Sequence, residues 1–172
     1  MTRLTLQLLG PLRVLDEHGA ELKISSRKSR ALLAYMALRP GESQGRQKLA
    51  ALLWEEADDE LARTSLRQAV ATLRKALPKS CQHALVTTSD SIALDPQLIE
   101  SDLMRLRRAL AAATCASLQE AVELLRGELL DGLDARSSAF DEWLTHERMS
   151  IRRQAIEALQ SLTQLCIANE DV

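Results

Sequence analysis

Asp58-Asp59-Glu60-Leu61-Ala62-Arg63-Thr64-Ser65-Leu66-Arg67-Gln68-Ala69-Val70-Ala71-Thr72-Leu73-Arg74-Lys75-Ala76-Leu77 reads as one long amphipathic helix, closed by Pro78. At about 100° per residue, Leu66, Val70, Leu73 and Leu77 fall within an arc of about 60°, which makes them a buried seam. The opposite face is thereby fixed. It carries Thr64, Gln68, Ala71 and Lys75, flanked by Arg63, Arg67 and Arg74 on one side and by Thr72 on the other, with no acid from Ala62 through Lys79. Such a surface suits the major groove of DNA: Arg grips guanine, Gln adenine, and Ala or Thr the thymine methyl, while outlying cations neutralise phosphates. The bland alternative is a solvated helix face, so the neighbouring segments decide.

Upstream, two shorter helices are expected. One starts at Ser26-Arg27-Lys28-Ser29-Arg30 and ends at Arg39-Pro40-Gly41; the next runs from Arg46 through Lys48 to Trp54. Both place cations in the first turn, where the helix dipole disfavours them by a few tenths to about 1 kcal/mol. A phosphate would supply the missing anion. The acids Glu55, Glu56, Asp58, Asp59 and Glu60 fill the loop before the long helix, with Asp58 or Asp59 placed to cap it.

The flanks are extended. Leu4–Leu8, Pro11–Leu15 and Leu22/Ile24 suggest a small antiparallel sheet, and Leu85–Thr88 with Ile92–Leu94 suggest a hairpin across Ser89-Asp90-Ser91. From Asp102 onward only helical periodicity is visible, over 103–113, 117–125 and 140–168, with inward stripes Leu103/Leu106/Leu110, Leu118/Val122/Leu125 and Ile151/Ala155/Leu159/Leu162. Asp95-Pro96 is the natural boundary. Residues 1–96 carry 14 Lys and Arg against 11 Asp and Glu, whereas 97–172 carry 8 against 13, so a mildly basic half precedes an acidic one.

Composition narrows the function. The 172 residues are 46% hydrophobic but hold only four aromatics, Tyr35, Trp54, Phe140 and Trp143, so the core must be Leu, Ala, Val and Ile. Cys81, Cys115 and Cys166 are too scattered for a metal site and read as free thiols of a reducing cytoplasm. No apolar run approaches the length of a membrane span. His18, His83 and His146 are isolated, and no Gly-rich phosphate loop exists, so neither catalytic residues, metal nor cofactor are expected.

These segments together resemble a known family. Leu6-Gln7-Leu8-Leu9-Gly10-Pro11-Leu12-Arg13-Val14, Ser26-Arg27-Lys28-Ser29-Arg30-Ala31-Leu32-Leu33-Ala34, Leu49-Ala50-Ala51-Leu52-Leu53-Trp54 and Ala62-Arg63-Thr64-Ser65-Leu66-Arg67 are similar to the OmpR/PhoB-type winged helix of SARP-class bacterial transcriptional regulators. Arg126-Gly127-Glu128-Leu129-Leu130-Asp131-Gly132-Leu133 and Asp141-Glu142-Trp143-Leu144 resemble the bacterial transcriptional activation domain that follows it.

The resemblance implies an α+β chain: a winged-helix DNA-binding domain over 1–96, then an all-α, tetratricopeptide-like module over 97–172 that is expected to be incomplete. It places Arg67, Gln68, Ala71 and Thr72 on a recognition helix of about 60–77 at base edges, and Arg63, Arg74 and Lys75 near phosphates. It implies double-stranded DNA as partner, self-association on DNA, and contact of the 55–60 loop with RNA polymerase. Two features depart from the class. Many relatives carry Arg where Ala71 and Thr72 stand, and the wing here offers Asp90 and no cation. The competing reading is therefore a protein-interaction module at the front of a larger signalling ATPase or cyclase, with weak or no DNA binding.

Overall fold

A computed structural model describes residues 3–125 and 127–170, with side chains in the last helix through Gln164. The expectations for Arg126 and the Cys166 thiol lie outside what it describes. The architecture is α+β. Three helices, α1 (Arg27–Ala37), α2 (Arg46–Leu53) and α3 (Asp59–Ala76), sit between two small sheets, and three more follow: α4 (Asp102–Ala112), α5 (Cys115–Leu124) and α6 (Ser138–Glu170).

The first sheet has the order β3 (Arg13–Leu15), β1 (Leu4–Gln7), β7 (Ile99–Ser101). Its β1–β3 pair is antiparallel as expected, but β7 joins β1 in parallel, which corrects the purely antiparallel expectation. Leu22 and Ile24 form no strand; Glu21 makes only a bridge to Leu15. The chain therefore crosses the Asp95-Pro96 turn and returns to the amino-terminal sheet before the helices begin. The second sheet is the expected hairpin, β5 (Leu85–Thr87) with β6 (Ser91–Leu94), extended by β4 (Gln44–Gly45), which leads straight into α2.

The carboxyl-terminal half also holds a strand that helical periodicity concealed. β8 (Leu129–Asp131) lies parallel to β2 (Gly10–Pro11), and Leu8 O accepts from Leu130 N–H at 2.7 Å. The approach is close at Gly127, where a Cβ would stand 3.1 Å from the Gly10 backbone. Leu130 and Arg136 adopt left-handed conformations at φ 52° and 51°, each strained by about 1–3 kcal/mol for a side chain of that kind. Surrounding bonds hold both, since Arg148 donates to Leu129 O and Leu130 O at 2.9 Å, and Asp134 accepts from Arg136 N–H at 2.7 Å.

One hydrophobic core runs from Leu4 to Ile151 through both halves. The seam of α3 is in it: Leu66, Val70, Leu73 and Leu77 are buried, with Ala62 and Ala69 beside them. The α6 stripe is only partly as expected. Ile151 is buried, but Leu159 is 47% exposed and Ala158 takes the inward position, because the buried face set by Phe140, Leu144 and Ile151 continues through Ala158 and leaves Leu159 to its side.

The joint between sheet and helices is a carboxylate. Asp102 opens α4, and its side chain accepts from Leu8 and Leu9 N–H at 2.9 Å and from Leu103 N–H at 2.8 Å. Burial pushes its pKa above the ordinary aspartate range even against those bonds. Asp102→Ala leaves the half-buried Leu8 and Leu9 N–H groups without their acceptor and is expected to lose about 2–3 kcal/mol, read as a lower urea midpoint at unchanged slope.

Candidate nucleic-acid interface

The interface is built on α3. Asp58 is its N-cap, its carboxylate accepting from Leu61 N–H at 2.9 Å, while Asp59 and Glu60 lie in the first turn and Arg74 and Lys75 in the last. That arrangement suits the dipole at both ends. With the Leu/Val seam buried against α1 and α2, the side chains of Arg63, Arg67, Gln68, Ala71 and Lys75 are left exposed, and Thr64 and Thr72 half-buried. Nothing from the helical half covers them among the described hydrogen bonds and ion pairs. Arg67 donates to Thr64 Oγ1 at 3.0 Å, a contact one turn back that holds the guanidinium along the face.

A groove opens between this face, the start of α2 and the hairpin turn, lined by Arg46, Gln47, Arg63, Arg67, Thr88 and Asp90. Gly45 caps α2 with no side-chain bond. The hairpin is fastened on both sides. Arg46 donates from its backbone N–H to Asp90 O at 2.8 Å and from Nε to Thr88 O at 3.0 Å; Arg74 donates to Thr87 Oγ1 at 2.9 Å and to Leu85 O at 3.4 Å. Arg46 and Arg74 thus hold the wing in addition to lending charge.

The other cations expected at helix starts are not gathered here. Lys48 lies over the Tyr35 ring at 5.7 Å and reaches Gln44 Oε1 at 3.3 Å. Arg27 pairs with Asp134 at 3.3 Å. Lys28 donates to Leu53 O and, at 3.1 Å, to Arg136 O, while its ammonium stands 5.6 Å from the centre of the Trp54 ring; burial pulls its pKa below the ordinary lysine value. Arg27 and Lys28 are drawn toward Asp134 and Arg136 of the helical half, whereas Lys48 is satisfied within its own half by Gln44 and the Tyr35 ring.

The acidic loop is divided as well. Glu55 accepts from Ser138 Oγ and Ser138 N–H at 2.6 Å, from Ala139 N–H at 3.2 Å and from Ser137 Oγ at 3.4 Å, so it caps α6 rather than α3. Its spacing from Asp58 in sequence gave no hint of this, because the helix it caps begins more than eighty residues later. Glu56, Asp59 and Glu60 stay exposed. Among the described residues no group of His, Cys, Asp and Glu could hold a metal ion, and no helix is long and apolar enough to cross a membrane.

Residues 19–93, which span α1, α2, α3 and the hairpin, match the family described as "Transcriptional regulatory protein, C terminal". That match supports a winged-helix domain of the transcriptional-regulator type over this stretch. The chain as a whole superimposes on Mycobacterium tuberculosis EmbR, solved in complex with a low-affinity phosphopeptide, with a TM-score of 0.80 and 24% identity over 99% of this chain. It covers 47% of that chain, about half its length. No curated protein sequence matches. The winged helix and the shared fold both agree with the SARP-class resemblance carried by the sequence motifs.

The Ser138 hydroxyl, with the two α6 N–H groups, holds the Glu55 carboxyl below the ordinary glutamate range. A depressed folded-state pKa gives stability that is present above the unfolded value of about 4.3 and lost as pH falls through the folded one. Melting of the wild type and of Glu55→Gln, compared from pH 7 down to 3.5, should show a gap at neutral pH that closes in acid.

Proposed function

We propose that this chain is a sequence-specific DNA-binding transcriptional regulator that sets α3 into the major groove. The observation that carries the reading is the exposed, acid-free face of Arg63, Arg67, Gln68, Ala71 and Lys75 beside the groove that Arg63 and Arg67 share with Arg46 at the start of α2. Arg67, Gln68, Ala71 and Thr72 are assigned to base edges, and Arg63, Lys75 and Arg46 to phosphates. Arg74 contributes through the wing it holds. Thr64 sets the Arg67 guanidinium. Arg27 and Lys28 serve the contact with the helical half, Lys48 is held by Gln44 and Tyr35, and none of the three is assigned to DNA.

In this reading the protein is no enzyme and works in the cytoplasm, where the DNA of a bacterial regulator lies. The exposed Glu56, Asp59 and Glu60 are left to contact RNA polymerase, while Asp58 and Glu55 are occupied as caps. The helical half serves self-association on DNA or regulation, supported by exposed Met149, Ile156 and Leu159 along α6. Two weakly binding copies on adjacent sites would offset a wing that carries Asp90 and no cation. That same Asp90, facing the groove with three arginines, is the observation favouring the second reading, a regulatory module that has lost DNA.

A salt series separates the two. With about 0.9 per neutralised phosphate, the cations Arg46, Arg63 and Lys75 predict that log K against log salt falls with a slope of about −3 per copy. On a duplex selected from a random pool, Arg67→Ala and Gln68→Ala should each cost about 1–3 kcal/mol and relax base preference, whereas Lys75→Ala should weaken all duplexes evenly. Asp90→Asn should tighten binding to every duplex. Absence of binding at low salt would leave the second reading standing.

A further inference from the structure

Helix α2 is short, and both of its ends are held by groups from outside it. At its start Arg46 N–H is bonded to Asp90 O of the wing. At its end the last-turn carbonyls, which an isolated helix leaves unsatisfied, are capped: Ser137 Oγ donates to Leu52 O at 2.7 Å and Lys28 to Leu53 O. Ser137 belongs to the helical half. Directly after α2, Glu55 returns the favour by accepting the first-turn N–H groups of α6, Ser138 and Ala139. Each half therefore satisfies a helix terminus of the other.

The segment that does this is held in a conformation its sequence does not prefer. Arg136 sits at φ 51°, and its carbonyl, aimed by that conformation, accepts from Lys28 at 3.1 Å. Ser137 is buried and Arg27 pairs with Asp134 on the outer side. The adjoining first turn of α1 then reaches the reading helix: Ser29 is fully buried, and its Oγ donates to Ala69 O of α3 at 3.0 Å. Contacts thus run without a gap from the 134–139 segment through α2 and α1 to α3.

We infer that the 134–139 segment of the helical half is part of the DNA-reading device, with Ser137 and Glu55 as positioning residues that hold α2 at the angle bringing Arg46 to Arg63 and Arg67. The inference rests on the DNA-binding reading above. Its sign is opposite to simple electrostatics. Removing an anion from a DNA-binding protein normally tightens binding, since fewer like charges face the phosphates. Replacing Glu55 should instead weaken specific binding, because the chain leaving α2 loses its tie to the start of α6.

The test uses the full chain and three variants, Ser137→Ala, Glu55→Gln and the charge control Glu142→Gln, whose side chain is exposed on α6. Affinity is measured for the selected duplex and for a random duplex, together with amide exchange at Ser138 and Ala139. The expected result is a loss of about tenfold for the selected duplex in Ser137→Ala and in Glu55→Gln, with random-duplex binding within about twofold of wild type and Glu142→Gln unchanged or tighter. A merely structural role would lower the melting temperature and leave selectivity intact. Wild-type selectivity in either folded variant, with its Ser138 and Ala139 amides exchanging faster, would overturn the inference alone. Failure of the wild type to bind any duplex would overturn the functional reading and this inference with it. Should Ser137→Ala not fold, Glu55→Gln decides by the sign of its effect.

Discussion

Burial of the Leu66/Val70/Leu73 stripe against α1 and α2 is the constraint from which the rest of the winged helix follows. A helix has only one rotation about its axis that removes that stripe from water, so the arginines and the amide on the far side have no freedom to be elsewhere. Ser29 fixes the remaining slide of α1 on α3 through a buried hydrogen bond to Ala69 O. The wing is then fastened to that frame at two points, Arg46 and Arg74.

The second organising element is the contact between the two halves. All four aromatics lie on it or border it: Tyr35 and Trp143 rings stand 4.6 Å apart, Phe140 and Trp143 5.0 Å, and Trp54 lies beneath Lys28. Glu147 joins both sides, accepting from Trp143 Nε1 at 3.0 Å and from Arg39 at 2.6 Å. A chain with so few aromatics places them where flat, amphipathic side chains can cover area and still satisfy a polar edge. Parallel pairing of β7 with β1 and of β8 with β2 adds backbone bonds to the same contact. The helical half is consequently built into the fold that presents α3, and its Asp134 carboxylate and Arg136 carbonyl draw Arg27 and Lys28 away from the groove beside that helix.

Much of this was legible in the chain. The bounds of α1, α2 and α3 and the hairpin follow from periodicity, capping residues and turn chemistry, and the exposed face of α3 follows from its seam. What was not legible shares one cause. Strands of two or three residues, such as β4, β7 and β8, are too short to show alternation, and they exist because a distant partner strand supplies their bonds. Leu159 was read inward on period alone, yet a helix longer than its partners must leave one of its faces uncovered. The roles of Glu55 and Lys28 were hidden for a similar reason, since a first-turn cation reads as a phosphate ligand until the carbonyls of another segment are seen to satisfy it.

By itself the sequence determined which residues of α3 are buried and which are presented, because 3.6-residue periodicity is a local property of the helix. Tertiary structure alone decided which cations stand beside that face and which are spent elsewhere. A charged side chain goes to the nearest groups able to satisfy it, and for Arg27, Lys28 and Glu55 those groups include ones from segments more than eighty residues away.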